Sequence, residues 1–174
     1  MSEYIVEAKS RKDLRNLAMI LRKHLGLENQ LWIPVVELLD ILVEILDGFS
    51  YEIVHDHSLP PETHAETDIR TGHITIKESI YERACDGEGR DRMTIAHEIG
   101  HFFMLCFCGF KLQRNYTKRE VKHFNNPEWQ AKCFAGEFLV PYYLTAEMSA
   151  AEIAEACGVS YLFDELEIID ASNK

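Results

Sequence analysis

The sequence predicts an α+β domain, mostly helical with a small sheet. Three observations carry that prediction: two amphipathic stretches before residue 48, a change to alternating periodicity between residues 49 and 76, and a return to helical period from about Asp91 or Thr94 onward. Ser10-Arg11-Lys12-Asp13 has the form of a helix start, and Leu14, Leu17, Ala18, Leu21 and Leu25 follow at helical spacing until Gly26. Pro34 suits the first position of a second helix, which carries Val35, Leu38, Leu39, Leu42 and Leu46 before Gly48 ends it. The apolar surface of that helix is broad, so it is expected to be largely buried. Phe49, Tyr51 and Ile53 then alternate with polar residues, as do Ile74 and Ile76 after Thr71-Gly72, which predicts two strands. Between them, residues 55–70 contain Pro60-Pro61 and many polar side chains and read as a solvated loop, in which His55 and His57 lack partners for a metal site.

With 174 residues, 47% hydrophobic and 27% charged, the chain can bury a core without disulfides, and the expectation is one domain over 1–174. Within it, 1–33 is read as an N-terminal helix, 34–145 as the core and 146–174 as a helical tail. Eighteen Lys and Arg against 29 Asp and Glu leave a net charge of −11, which repels a phosphate backbone, so direct nucleic-acid binding is not expected. The first fifteen residues lack an apolar leader segment, and the stretch Val35–Leu46 is interrupted by Glu37, Asp40 and Glu44, so neither a membrane span nor export is expected and the location is read as cytoplasmic. Five cysteines, an odd number, are read as buried free thiols, with Cys106-Phe107-Cys108 too isolated to argue for metal.

The chemistry lies in His97-Glu98-Ile99-Gly100-His101. Residues four apart share a helix face, so both imidazoles can point at one ion, while Glu98, about 100° further round, can reach a water on that ion without ligating it. The pattern H-E-x-x-H also arises by chance, so its context decides. These histidines run into Phe102-Phe103-Met104-Leu105, which predicts burial, and buried histidines need a partner that a shared metal provides.

A metal that activates water needs a third protein ligand and an open position. The downstream candidates are Glu120, His123, Glu128 and Glu137. Asn126 reads as a helix cap, Pro127 as the first helical residue and Glu128 as a first-turn carboxylate, in a helix ending before Pro141. Ala131 and Ala135 share the face of Glu128 and permit close approach to the metal helix, whereas Glu137 points nearly the opposite way. The reading favours Glu128, with a purely helix-stabilising role for it as the alternative.

Met93-Thr94-Ile95-Ala96-His97-Glu98-Ile99-Gly100-His101 followed by Glu128-x-x-Ala131-x-x-Phe134-Ala135-x-Glu137-Phe138-Leu139-Val140-Pro141 resembles the ImmA/IrrE family of metallopeptidases over roughly residues 34 to 145. The resemblance implies a zincin-like fold, one Zn2+ per chain held by His97, His101 and Glu128, and Glu98 as general base. It further implies a helix-turn-helix repressor as protein substrate. Cys133 and the acidic, glycine-rich run Cys85–Arg90 depart from the family pattern without touching the ligands. The sequence also suggests His73–Lys77 as the sheet edge on which a substrate strand pairs, and His123, Tyr116, Tyr142 and Tyr143 as candidate transition-state donors. Residues Ser149–Ser160 resemble the start of a helix-turn-helix, but the following run to Asp170 carries no Lys or Arg, so it is read as a packing or partner-binding tail. Two other functions share the site: a metal-stabilised regulator or toxin component that binds a repressor without cutting it, and a hydrolase of a non-peptide amide.

Overall fold

A computed structural model describes residues 4–109, 111–114 and 122–160. The elements in order are β1 (Tyr4–Val6), α1 (Arg11–His24), α2 (Val35–Ile45), β2 (Ser50–Val54), β3 (Ala65–Asp68), β4 (His73–Lys77), α3 (Glu78–Cys85), α4 (Gly89–His101), β5 (Leu112–Arg114), α5 (Pro127–Leu139), α6 (Tyr142–Thr145) and α7 (Ala150–Cys157). This is an α+β fold, predominantly helical with a small three-stranded sheet.

The first helix starts where its residues predict. Ser10 accepts from the Asp13 amide while the Asp13 carboxylate accepts from the Ser10 amide, so two of the helix's orphan donors are satisfied reciprocally. Leu14, Ala18 and Leu21 turn inward. The second helix departs from expectation. It buries Val35, Val36, Leu38, Leu39 and Leu42, but Ile41, Val43 and Ile45 remain exposed at 43–56%, because no described element covers that face.

The main sheet has the order β2-β4-β3, with β2 parallel and β3 antiparallel to β4. Two expectations are corrected here. His73–Lys77 is the central strand, not an edge, so it has no free side for a substrate. The segment 55–70, read as a loop, contains the edge strand β3. Its inward positions escaped detection because they are Ala65 and Thr67, small or polar residues that give no hydrophobic alternation. Ile74 and Ile76 of the central strand are fully buried against the helices. The helix α3, also unforeseen, buries only Ile80 and Ala84, too few apolar residues to announce it.

A second, two-stranded sheet pairs β1 with β5. The N-terminal segment is therefore a strand followed by a helix. It is fastened to the start of α5: Asn125 Nδ2 donates to the Val6 carbonyl, and buried Gln130 donates to the carbonyls of Glu7 and Phe124. The C-terminal helix α7 packs by a different device. Gly158 adopts φ +61°, and a Cβ there would lie 2.1 Å from the Trp32 ring, so only glycine fits. Arg92, fully buried on α4, stacks 3.8 Å over Trp32 and donates to the carbonyls of Ile33, Cys157 and Gly158. Two segments distant in sequence, Trp32-Ile33 and Cys157-Gly158, are thereby tied to the metal-binding candidate helix.

Among the described residues no helix is long and apolar enough to cross a membrane. All five cysteines are free thiols; Cys133 and Cys157 are buried as expected, while Cys85 and Cys108 are exposed. Burial pushes the Cys133 thiol up to about 12, leaving it chemically quiet. The Ser149–Ser160 expectation of a helix and turn matches α7 and its left-handed Gly158; residues 161–170 lie outside the described residues.

Candidate metal centre

Helix α4 begins at Gly89, two residues before the earliest expected start, and buries Met93, Ile95, Ala96 and Ile99. His97 and His101 lie one turn apart on it, their rings 4.6 Å apart and nearly perpendicular. Beyond His101 the helix widens into a π-helical segment, Phe102–Phe107, a geometry often found beside functional sites.

Helix α5 crosses α4 at close range because Gly100 has no side chain. A Cβ there would lie 2.9 Å from the Phe134 ring and 3.4 Å from the Ala131 carbonyl oxygen. Ala131 and Ala135 are completely buried in this contact, as the small-residue face predicts. At the mouth of the crossing, the Asn126 side chain accepts from the amides of Glu128 and Trp129, and Pro127 occupies the first turn. The cap aims Glu128 at the histidines.

His97, His101 and Glu128 converge, and among the described residues they form the one His/Cys/Asp/Glu group able to hold a metal ion. The Glu128 Oε2 lies 3.2 Å from His97 Nε2 and 3.3 Å from His101 Nε2, and the two Nε2 atoms are 3.0 Å apart. Bonds of about 2.0–2.1 Å to a tetrahedral zinc ion separate its ligand atoms by roughly 3.4 Å, so the donor triangle fits such an ion closely. His101 Nδ1 is buried without a hydrogen-bond partner among the described residues, so the ring's polar stabilisation comes from the cluster side. The site faces solvent through Glu128, whose side chain is 65% exposed against 10% for His101.

The electrostatics follow from this packing. Hydrogen bonds from His101 and His97 hold the Glu128 carboxyl well below the usual carboxylate range. Burial opposes protonation of His101, but its hydrogen bond to Glu128 and the charges of Glu98 and Glu128 outweigh that, so its pKa is raised.

Glu98 stays out of the donor triangle. It is buried, and its Oε2 accepts a 2.7 Å hydrogen bond from Thr67 Oγ1 on the edge strand β3. Glu137 is turned away, as its position on the helix requires: it is buried between Arg11, 2.5 Å away, and Arg15, 2.8 Å away. Glu120 and Tyr116 lie outside the described residues. The other candidates are engaged elsewhere. Tyr142 lies under the Arg15 guanidinium, Tyr143 donates to the Glu28 carbonyl, and His123 packs against Phe124 and Trp129. His55 pairs with Glu78 and stacks on His57, with no third ligand.

A cleft of about 320 Å³ opens onto the cluster, lined by Tyr4, Thr67, Ile69, Glu98, His101, Leu105 and Glu128 among others. Tyr4 and Thr67 are the residues that sequence reasoning missed. Tyr4 arrives on the unpredicted strand β1, and Thr67 sits in the segment read as loop, so neither carried a local signal.

Comparison with known proteins completes this picture. The family model for Peptidase M78, the IrrE N-terminal-like domain, matches residues 49–166, beginning and ending later than the 34–145 stretch of motif resemblance. No curated protein matches the chain. A solved structure described as a Mycobacterium tuberculosis transcriptional regulator is similar with a TM-score of 0.56 at 20% identity, over 86% of this chain and 44% of that one. This chain therefore spans less than half the length of that regulator, and the likeness is one of fold. The family match contains α4, α5, β3 and the whole donor triangle, and the chain belongs to the IrrE N-terminal-like domain family of peptidases.

Proposed function

We propose that this chain is a zinc metalloendopeptidase, a single domain that cleaves a helix-turn-helix transcriptional repressor. The observation that carries the reading is the separation of roles in one cleft: three donors spaced for one tetrahedral ion, and a fourth group, Glu98, held beside them and outside the triangle.

His97, His101 and Glu128 would hold the ion, which when bound supplies Lewis acidity toward the scissile carbonyl and toward water. Glu98 takes the proton of the attacking water and returns it to the leaving amine, a transfer its buried, oriented carboxylate suits. Tyr4 and Thr67 line the cleft wall beside these groups. An extended substrate segment would add to the outer edge of β3, the strand that borders the cleft, by main-chain pairing. The net charge of −11 favours encounter with a basic DNA-binding protein while disfavouring DNA itself.

The test is incubation of the zinc-loaded protein with the repressor encoded beside it or co-purifying with it, with fragments read by mass spectrometry. A single metal-dependent cut, absent with Glu98→Gln, is expected. An intact repressor held in a stable complex by both forms would overturn cleavage in favour of a sequestering regulator.

A further inference from the structure

We propose that Thr67 is a positioning residue that aims the Glu98 carboxylate, making the edge strand β3 part of the proton-transfer machinery. The inference rests on the reading of Glu98 as general base and assigns it an orienting partner on a different element.

The register of the sheet decides where Thr67 points. Thr67 is paired with Ile74, and Ala65 with Ile76, across the antiparallel β3–β4 ladder. Residues directly opposite one another in such a ladder lie on the same face. Ile74 and Ile76 are fully buried, so Thr67 stands on the face that packs against the helices, where an apolar residue would be the ordinary choice. It is instead a threonine. Its β-branched body suits a strand and has a stiff χ1, and its hydroxyl meets α4 at Glu98.

The contact has a direction. The hydroxyl has one proton, and Glu98 Oε2 at 2.7 Å is closer than the Glu98 carbonyl at 3.2 Å. The carboxylate therefore receives the hydrogen bond. No other hydrogen bond to that carboxylate occurs among the described residues. The terminal torsion of a glutamate is broad and roughly two-fold, so an unanchored Glu98 would sweep both oxygens through the cleft. Anchoring Oε2 stops the sweep and leaves Oε1 to accept a proton. Thr67 itself is held by β4, which β2 pairs on its other side. The orientation of the base is thus set by the sheet, while the candidate metal ligands are set by the two helices. A peptide that pairs with β3 is registered against the same strand that aims the base.

Two variants separate positioning from packing. Thr67→Val keeps the branched shape and removes the donor, whereas Thr67→Ser keeps the donor and removes a methyl group. With the zinc-loaded protein and the repressor as substrate, Thr67→Val is expected to lower kcat by about 10- to 100-fold, the range typical of outer-shell partners. KM should change by less than about two-fold, and Thr67→Ser should recover most of kcat. Metal content should stay at the parental level, and Thr67→Val should cause no further loss on top of Glu98→Gln. Melting temperatures of the metal-free Thr67→Val, Glu98→Ala and double variants give a readout independent of turnover, and the two effects should be non-additive. A parental kcat in Thr67→Val overturns the proposal, as do equal losses in Val and Ser. A parent protein that melts with the expected coupling but cuts nothing overturns the peptidase reading, and the positioning role falls with it.

Discussion

Glu128 and Glu137 lie nine residues apart on one helix, half a revolution round its axis, and their surroundings assign them opposite work. Glu128 is exposed in the first turn, where the Asn126 cap and the helix dipole favour a carboxylate, and it meets two imidazoles. Glu137 is buried and already matched by two guanidiniums of α1. A carboxylate neutralised in that way has no charge left for a metal ion. Its gain is structural, because it fastens the N-terminal helix to the helix that presents Glu128. Under the proposed metal site, residue type and helix membership do not pick out the ligand; the partners already in place do.

The largest way to break this comparison is at Glu128 itself. Glu128→Ala should weaken zinc binding by at least ~100-fold with the fold retained, as followed by competition with a chromogenic chelator. Metal retention in that variant would reverse the assignment. Glu137→Ala should do the reverse and keep its metal while losing stability. The loss should be near the low end of the ~3–5 kcal/mol seen when a buried ion pair is broken, since Arg11 and Arg15 stay partly exposed. Urea unfolding measures it, and a change below ~1 kcal/mol would show that the cluster is ornamental.

A pH titration sharpens the same contrast. Zinc requires a neutral imidazole, and the raised pKa of His101 means that protons compete from above its ordinary value of 6.5. Affinity measured calorimetrically should therefore fall as pH drops from about 8 to 6. A flat profile would contradict the charge arrangement around His101. The smallest expected effect is at the cap: Asn126→Ala should cost about 1 kcal/mol of stability and loosen Glu128, weakening zinc binding without abolishing it.

The parts of the molecule that were legible in sequence are those built by local rules. The Ser10 capping box, the Asn126-Pro127 helix start, the i and i+4 histidines and the alanine face opposite Gly100 all declare themselves within a few residues. What stayed hidden depends on contacts between distant segments. β3 borders the cleft, so its inward residues are Ala65 and Thr67 and no apolar alternation marks it. The central position of β4 follows from β3 and was lost with it. Tyr4 reaches the cleft only because β1 pairs with β5 and Gln130 grips the neighbouring backbone. The exposed side of α2 was misread because a broad apolar helix does not reveal which of its faces will find a cover.

The central claim is that one ion is held by His97, His101 and Glu128 and by nothing on the far side of α5. Elemental analysis of the parent, His97→Ala, Glu128→Ala and Glu137→Ala proteins, purified in parallel without added metal, tests it most directly. The account predicts about one equivalent of zinc in the parent and in Glu137→Ala, and close to none in the other two. Parental zinc in His97→Ala or Glu128→Ala, or its loss in Glu137→Ala alone, would contradict it.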